Sequence, residues 1–328
     1  MITKRSGFLL SPLILALLSC APQRPLTKSV QDLAEEANRT GIKEYQLGHY
    51  ASARAEFNHA LRLNRRLDNR KGELNNLNNL AALQLKDGDR SGALISLNEA
   101  LVISRSISDR PGEADLLIHV GIAREMEGEW DKARASYQKA EEISRSLPDS
   151  RHLQVALGRL GRLELRSGKW EEAERSLHAA YDLAKSGGDA AEMATRESDL
   201  ALLALQRKHP EQALSLLTSA LATHRHLEDT PGIALDLQRL ALVRLDKGEP
   251  EKAEDLIQRA YLSHRAGGDD AGALQDLLIL ARIQKTRGDK KKMAEALKEA
   301  KKLLPKVTRH DLIEEFTKME QELKDVFP

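Results

Sequence analysis

The chain has one cysteine, two tryptophans and four phenylalanines in 328 residues, and no apolar run long enough to cross a membrane. A lone cysteine excludes an internal disulfide, so the fold must stand on packing. With aromatics at 3% and abundant Ala, Leu, Glu, Arg and Lys, the composition favours long amphipathic helices over sheets. The formal net charge is only +1, which implies no bulk attraction to nucleic acid. Signatures of chemistry are missing as well. The sequence has no GxGxxG or Walker motif, no histidine pair at helical zinc spacing, and no nucleophile set beside a base, so neither a catalytic residue, a metal site nor a bound cofactor is expected. Among about fifty acidic residues some carboxylates will lie close by chance, so proximity alone nominates no acid/base pair.

The amino terminus has its own composition: Lys4 and Arg5, an apolar stretch from Phe8 to Leu18 broken by Pro12, then Ser19 and Cys20. This is the layout of a removable signal peptide. Leu17, Leu18, Ser19 and Cys20 resemble the lipobox of bacterial lipoproteins, although Leu at its second position is less usual there. The resemblance implies a leader over 1–19, a covalent lipid on Cys20, and a tether over 20–29 that contains Pro22 and Pro25. Ala21 after the cysteine, where an aspartate would retain the protein, implies an outer-membrane address under the enterobacterial sorting rule. Loss of Lys4 and Arg5 with the leader would turn the net charge from +1 to −1.

Written in rows of forty, the rest of the chain aligns with itself. Gly48, Gly88, Gly128, Gly168, Gly248 and Gly288 share a column, with Lys208 the exception. Five residues on stand Ala53, Ala93, Ala133, Ala173, Ala213 and Ala253, then Met293; twelve on, Ala60, Ala100, Ala140, Ala180, Ala220, Ala260 and Ala300. Between them runs a bulky column, Phe57, Leu97, Tyr137, Leu177, Leu217, Ile257 and Leu297. Seven before the glycine is a small one: Gly41, Ala81, Gly121, Gly161, Ala201, Ala241 and Ala281. Offsets of three and four mark helix faces, and small residues let two helices approach while bulky neighbours fill the space beside them. Each row therefore predicts a helical hairpin. Its turn falls at the glycine, and Pro210 and Pro250 suit the first position of the second helix. Asp109, Asp149, Asp189, Asp229 and Asp269 recur where the next first helix begins and its amides need acceptors.

A small residue, Gly, an aromatic two positions on (Tyr50, Trp130, Trp170), then Ala, large apolar and Ala resemble the tetratricopeptide repeat across 30–307, in the forty-residue form of kinesin light chains. Polar Glu44, Gln84 and Arg124, where the family often has an aromatic, are departures. The resemblance implies an all-α solenoid: about seven stacked hairpins in a right-handed superhelix, closed by a capping helix within 308–328. Leu312, Phe316, Met319 and Leu323 supply that helix with an apolar stripe, and Thr308 with Asp311 resembles a capping box.

The family's inner groove is lined by first helices. Carried over, its positions give an apolar strip of Ile122, Leu165, Leu202, Leu205, Leu242 and Leu245 flanked by Arg162 and Arg166, with Arg282 and Lys285 beyond. Such a strip suits an amphipathic helix or extended peptide with acidic residues; the competing reading is that longer helices bury these leucines. The Lys and Asn pattern by which chaperone-binding relatives hold a terminal carboxylate is missing, since Ile42 follows Asn38 and Ala82 follows Asn78. His224, His226 and His264 read as structural or solvated. The basic column Arg65, Arg105, Arg145, Lys185, Arg225 and Arg265 reads as favourable charge at helix ends, and the Lys290–Lys292 cluster as a solvated end face. Together these features predict a lipid-anchored scaffold whose partners are envelope proteins or peptide segments in pilus assembly, exopolysaccharide export or cell-wall enzyme regulation. The alternatives are an intracellular signalling scaffold and an enzyme or glycan binder that uses the groove.

Overall fold

A computed structural model describes residues 28–307 and 309–326. The expected leader, Cys20, most of the tether and Thr308 lie outside the described residues. Those described form α-helices and one short 3-10 turn, with no strand among them. The chain divides into two compact units, 1–68 and 69–328. The first contains one antiparallel hairpin, α1 (Val30–Gln46) and α2 (Tyr50–Arg66). There Ser29 caps α1 by accepting from the Asp32 amide, while Asp32 accepts from the Ser29 amide.

The second unit contains the other six hairpins. They are α3 (Arg70–Lys86) with α4 (Arg90–Ser106), α5 (Arg110–Met126) with α6 (Trp130–Ser144), and α7 (Arg151–Arg166) with α8 (Trp170–Gly187). There follow α9 (Ala190–Gln206) with α10 (Pro210–His226), α11 (Thr230–Asp246) with α12 (Pro250–Ala266), and α13 (Asp270–Arg287) with α14 (Lys290–Leu303). Each hairpin packs on the next, and first helices of neighbouring hairpins also touch, as α5 does α7 and α9 does α11. After the 3-10 turn Leu304–Lys306, α15 (His310–Val326) packs on α13 and α14.

The four columns other than the turn glycines are buried, the alanines at 60, 100, 140, 180, 220, 260 and 300 completely so. Tyr137 is the bulkiest fully buried side chain, and its hydroxyl donates to Glu125 at 3.0 Å. The expected stripe of α15 closes the last core: Leu312, Phe316 and Met319 join Leu274, Leu278 and Leu297, with Leu323 half-buried at the edge.

The backbone repeats twice as often as the sequence. A left-handed residue ends helices near every twentieth position: Gly48 (φ 79°), Asp68 (φ 53°), Gly88 (φ 79°), Ser108 (φ 56°), Gly128 (φ 76°), and onward to Gly288 (φ 74°). At the turns other than that at Asp68 the amide after the left-handed residue reaches back five positions, as in Asp89 to Gln84 O (2.8 Å) and Asp109 to Ser104 O (2.9 Å). Lys208, the exception in the glycine column, adopts the same conformation (φ 64°), so backbone geometry is kept where the residue preference is not.

The one break falls at Pro148, whose ring holds φ negative and forbids this turn. Here α6 stops at Ser144, α7 starts only at Arg151, and Asp149 accepts from the Arg151 amide instead of taking the N-cap position of its column. Elsewhere Asp109, Asp189 and Asp269 cap α5, α9 and α13 through their side chains. The polar residues in place of family aromatics clamp the turn inside the hairpin: Ser96 donates to Gln84 (2.8 Å), and Arg124 pairs with Glu129 (2.5 Å).

Candidate functional site

Two kinds of polar structure lie on the first helices. One is buried. On α9 and α11, Arg239 donates to Ser198 Oγ (2.7 Å) and Asp199 Oδ1 (2.9 Å), and Ser198 donates to Asp236 (2.5 Å). Arg196 reaches Asp199 at 3.5 Å and lies across Gly158 of α7, where a Cβ would stand 1.7 Å from its guanidinium. Burial opposes ionisation of Asp199, but Arg239, Arg196 and Arg162 more than offset it and hold the carboxyl below its ordinary value. One repeat on, Gln238 donates to Asp276 (2.7 Å). From the second helices, His224 Nδ1 meets Asp236 at 2.7 Å and His264 Nδ1 meets Asp276 at 2.6 Å.

Ser198, His224 and Asp236 are the residue types of a hydrolase triad, yet the serine bonds the aspartate and not the histidine, so nothing activates it as a nucleophile. His224 and His264 are buried within this network, and His226 points to solvent. Sequence inspection missed their partners, although Asp236 and Asp276 also stand forty residues apart. So do Gly232 and Gly272, where a Cβ would press on each imidazole.

These histidines make stability pH-dependent. The hydrogen bond to Asp236 raises the His224 pKa; at His264 burial acts downward, but the bond to Asp276 and its charge outweigh it. A folded pKa above the unfolded value of about 6.5 means stabilisation that is complete below that pH and lost as pH rises through the folded values. The melting temperature is expected to fall as pH rises above about 6.5, and His224→Gln with His264→Gln to flatten that slope. An equal slope in the double variant would locate the dependence elsewhere.

The other structure is open. A cleft of about 210 Å³ lies among α5, α6, α7 and the start of α15. Ile122 and Met126 form its apolar wall with Trp130; Arg159, Arg166 and Arg309 face it with Glu125 and Asp311. Arg166 stacks on Trp130, 4.3 Å from the ring centre, and lies 3.4 Å from Asp311, a carboxylate that Arg309 holds at 2.6 Å. Arg159 joins none of the hydrogen bonds or ion pairs among the described residues. Burial, with Arg162 and Arg196 nearby, pulls its pKa down to about 10, so it remains cationic at neutral pH.

The other groove positions are spread along unit two. Arg162, Leu202, Leu205, Leu242 and Leu245 are half-buried, the leucines packed against cores shared between neighbouring hairpins; Leu165 is buried at 8% exposure. Arg282 and Lys285 are exposed but tied to α15, by Glu315 (2.6 Å) and Glu322 (2.8 Å). In the basic column, Arg105 pairs with Glu113 and Arg265 with Asp270. Among the described residues no cluster of three metal-ligating side chains occurs, and no helix is long and apolar enough to cross a membrane.

The family model described as tetratricopeptide repeat matches residues 112–186 and 152–226. No curated protein sequence matches the chain. Among solved structures, the apo quorum sensor NprR from B. thuringiensis is similar with a TM-score of 0.69 at 14% identity, over 84% of this chain and 77% of that one. The Rap conjugation gene regulator of plasmid pLS20, in complex with the Phr* peptide, has a TM-score of 0.67 at 13% identity, over 95% of this chain and 81% of that one. A tetratricopeptide repeat protein from Parabacteroides merdae has a TM-score of 0.58 at 16% identity, over 88% and 99%. Such identities speak for the fold, and none of these matches indicates an enzyme family. The chain carries tetratricopeptide repeats, set in a solenoid of helical hairpins.

Proposed function

We propose that the protein is a non-catalytic adaptor, lipidated on Cys20 and facing the periplasm from the bacterial outer membrane, which grips a segment of an envelope protein along its first helices. One observation carries the adaptor reading: half-buried Ile122 on α5, Leu202 and Leu205 on α9, and Leu242 and Leu245 on α11 lie on first helices of one run, with Arg162 and Arg166 on the intervening α7. An extended peptide with apolar and acidic residues matches that combination. The pLS20 regulator, similar in fold and bound to a peptide, supports it. The address rests on Cys20 and the leader before it. A single acyl chain binds marginally and a multiply acylated cysteine stably, so the repeats need affinity only for the partner. Covalent lipid is then the only non-protein group required, and nucleic acid is not a partner. The assembly served is a pilus, an exopolysaccharide exporter or a cell-wall enzyme.

The fold likeness to NprR favours a second reading, an intracellular signalling scaffold. The two separate by experiment. Radioactive fatty acid is expected to label the wild type and not Cys20→Ala; an unlabelled, soluble wild type would remove the membrane address. Crosslinked capture from membranes is expected to drop in Leu242→Glu or Leu202→Glu while helicity stays intact. Undiminished capture by both would discard the leucine surface as the partner site.

A further inference from the structure

We propose that the cleft among α5, α6 and α7 receives a carboxylate side chain of the partner peptide between Arg159 and Arg166, and that Asp311 is its internal stand-in, displaced from Arg166 on binding. This deepens the adaptor reading and rests on it. Four observations converge on it.

First, Arg159 is a half-buried cation facing the cleft, with Glu125 as its acidic neighbour and no hydrogen bond or ion pair among the described residues. A guanidinium has five donors, and a carboxylate is the side chain whose geometry matches them. Second, Arg166 is oriented in advance by its stacking on Trp130. Third, the contact between Arg166 and Asp311 is the weak arm of a shared carboxylate. It spans 3.4 Å between partly exposed groups, whereas Arg309 reaches the same carboxylate at 2.6 Å and 3.2 Å. Exposed pairs contribute little, so an incoming acid can take Arg166 while Asp311 keeps Arg309. Fourth, three arginines face two acids there, and Glu125 already accepts from Tyr137, which leaves the cleft receptive to one more negative charge.

The apolar wall of Ile122, Met126 and Trp130 adds a second element of specificity: an apolar residue next to the acidic one. The cleft is of side-chain size, so it selects one position of the peptide, and the leucine surface would hold the remainder. The placement of Asp311 at the start of α15 links occupancy to the cap. A ligand that releases Arg166 from Asp311 loosens a tie between residues 145 apart in sequence without touching the apolar stripe that holds α15 to α13 and α14.

The protein has two tryptophans, so Trp170→Phe leaves Trp130 as a reporter inside the cleft. In full-length protein with that change, an acetylated, amidated hexapeptide of alternating leucine and glutamate is titrated against its glutamine counterpart and against free glutarate. Saturable change in Trp130 emission is expected with the glutamate peptide, and at least about tenfold weaker binding with the glutamine peptide. Asp311→Asn is expected to tighten the glutamate peptide by about fivefold, and Arg166→Gln and Arg159→Gln each to weaken it by about tenfold. Arg166 is at the surface, so its variant remains informative if Arg159→Gln fails to fold.

Equal binding of the two peptides, no response to the glutamate peptide at about 1 mM, or an Asp311→Asn protein that binds no tighter would overturn the assignment. Glutarate binding as tightly as the peptide would overturn its peptide part. Loss of the carboxylate effect with Leu242-dependent membrane capture intact would leave the adaptor and remove only this site. The reverse result would keep the site and remove the adaptor.

Discussion

Replacing Asp199 with alanine is expected to cost about 3–5 kcal/mol, the usual penalty for removing one partner of a buried ion pair. The carboxylate is fully buried and accepts from Arg239 at 2.9 Å, with Arg196 at 3.5 Å, and both guanidiniums are themselves largely enclosed. Without Asp199 two buried cations would face each other with Ser198 as the remaining polar neighbour of Arg239. Because a repeat array need not unfold in one step, the loss should be local. Hydrogen exchange is expected to show lost protection in α9 and α11 and the hairpins they belong to, with α3 and α4 little changed. Asp199→Leu combined with Arg239→Leu should cost less than Asp199→Ala alone, since desolvation of the pair is then no longer needed. A single variant as stable as the parent, or a loss spread evenly from α3 to α14, would mean that this pair does not hold the stack together.

The pair also marks where sequence reading stops. Hairpins, turns and cores were legible because they recur: a column of seven alanines at one offset has no cheaper explanation than one packing solution used seven times. Lys208 was marked as an exception there, yet its backbone follows the glycines, because the turn is specified by both flanking helices as well as by the residue within it. The polar contacts between first helices do not recur in type. Arg239 with Asp199, Ser198 with Asp236 and Gln238 with Asp276 join positions 38 to 40 apart, but the donor differs each time, so only the acceptors Asp236 and Asp276 share a column. The cleft was legible only in part. Ile122 and Arg166 came from the family's groove positions, whereas Arg309 and Asp311 arrive from the chain's far end through the fold-back of α15, which has no periodic signature. The same helix supplies Glu315 and Glu322, which pair with the exposed Arg282 and Lys285. Pro148 was in plain view, and its effect on the turn follows from its ring once the positive-φ positions are known.

Tyr137→Ala is expected to cost about 3–5 kcal/mol through the cavity it leaves, since this is the largest fully buried side chain. A more searching test uses the residue it presses against. A Cβ at Gly121 would lie 2.3 Å from the Tyr137 ring, and one at Gly41 would lie 2.6 Å from Phe57, whereas the positions equivalent to Gly121 beside Leu97, Leu217, Ile257 and Leu297 are alanines. Small and bulky columns thus trade volume: an aromatic requires glycine, and most aliphatic residues accept a methyl group. Gly161 beside Leu177 departs from that trade, and its Cβ would meet the leucine at 2.6 Å. Gly121→Ala alone is expected to destabilise by about 1–3 kcal/mol, because Tyr137 is enclosed on all sides and has no room to withdraw. Tyr137→Leu alone leaves a void and strands Glu125 without the hydroxyl that donates to it. Together they recreate the Ala and Leu pair of the second and fifth hairpins, so the double variant should be more stable than the sum of the single losses by about 0.5–3 kcal/mol, the range of contact couplings. Denaturant unfolding of the four proteins measures this coupling. Strict additivity would mean that the seam between α5 and α6 is not packed by complementary volumes, and the forty-residue columns would lose their physical meaning at this hairpin.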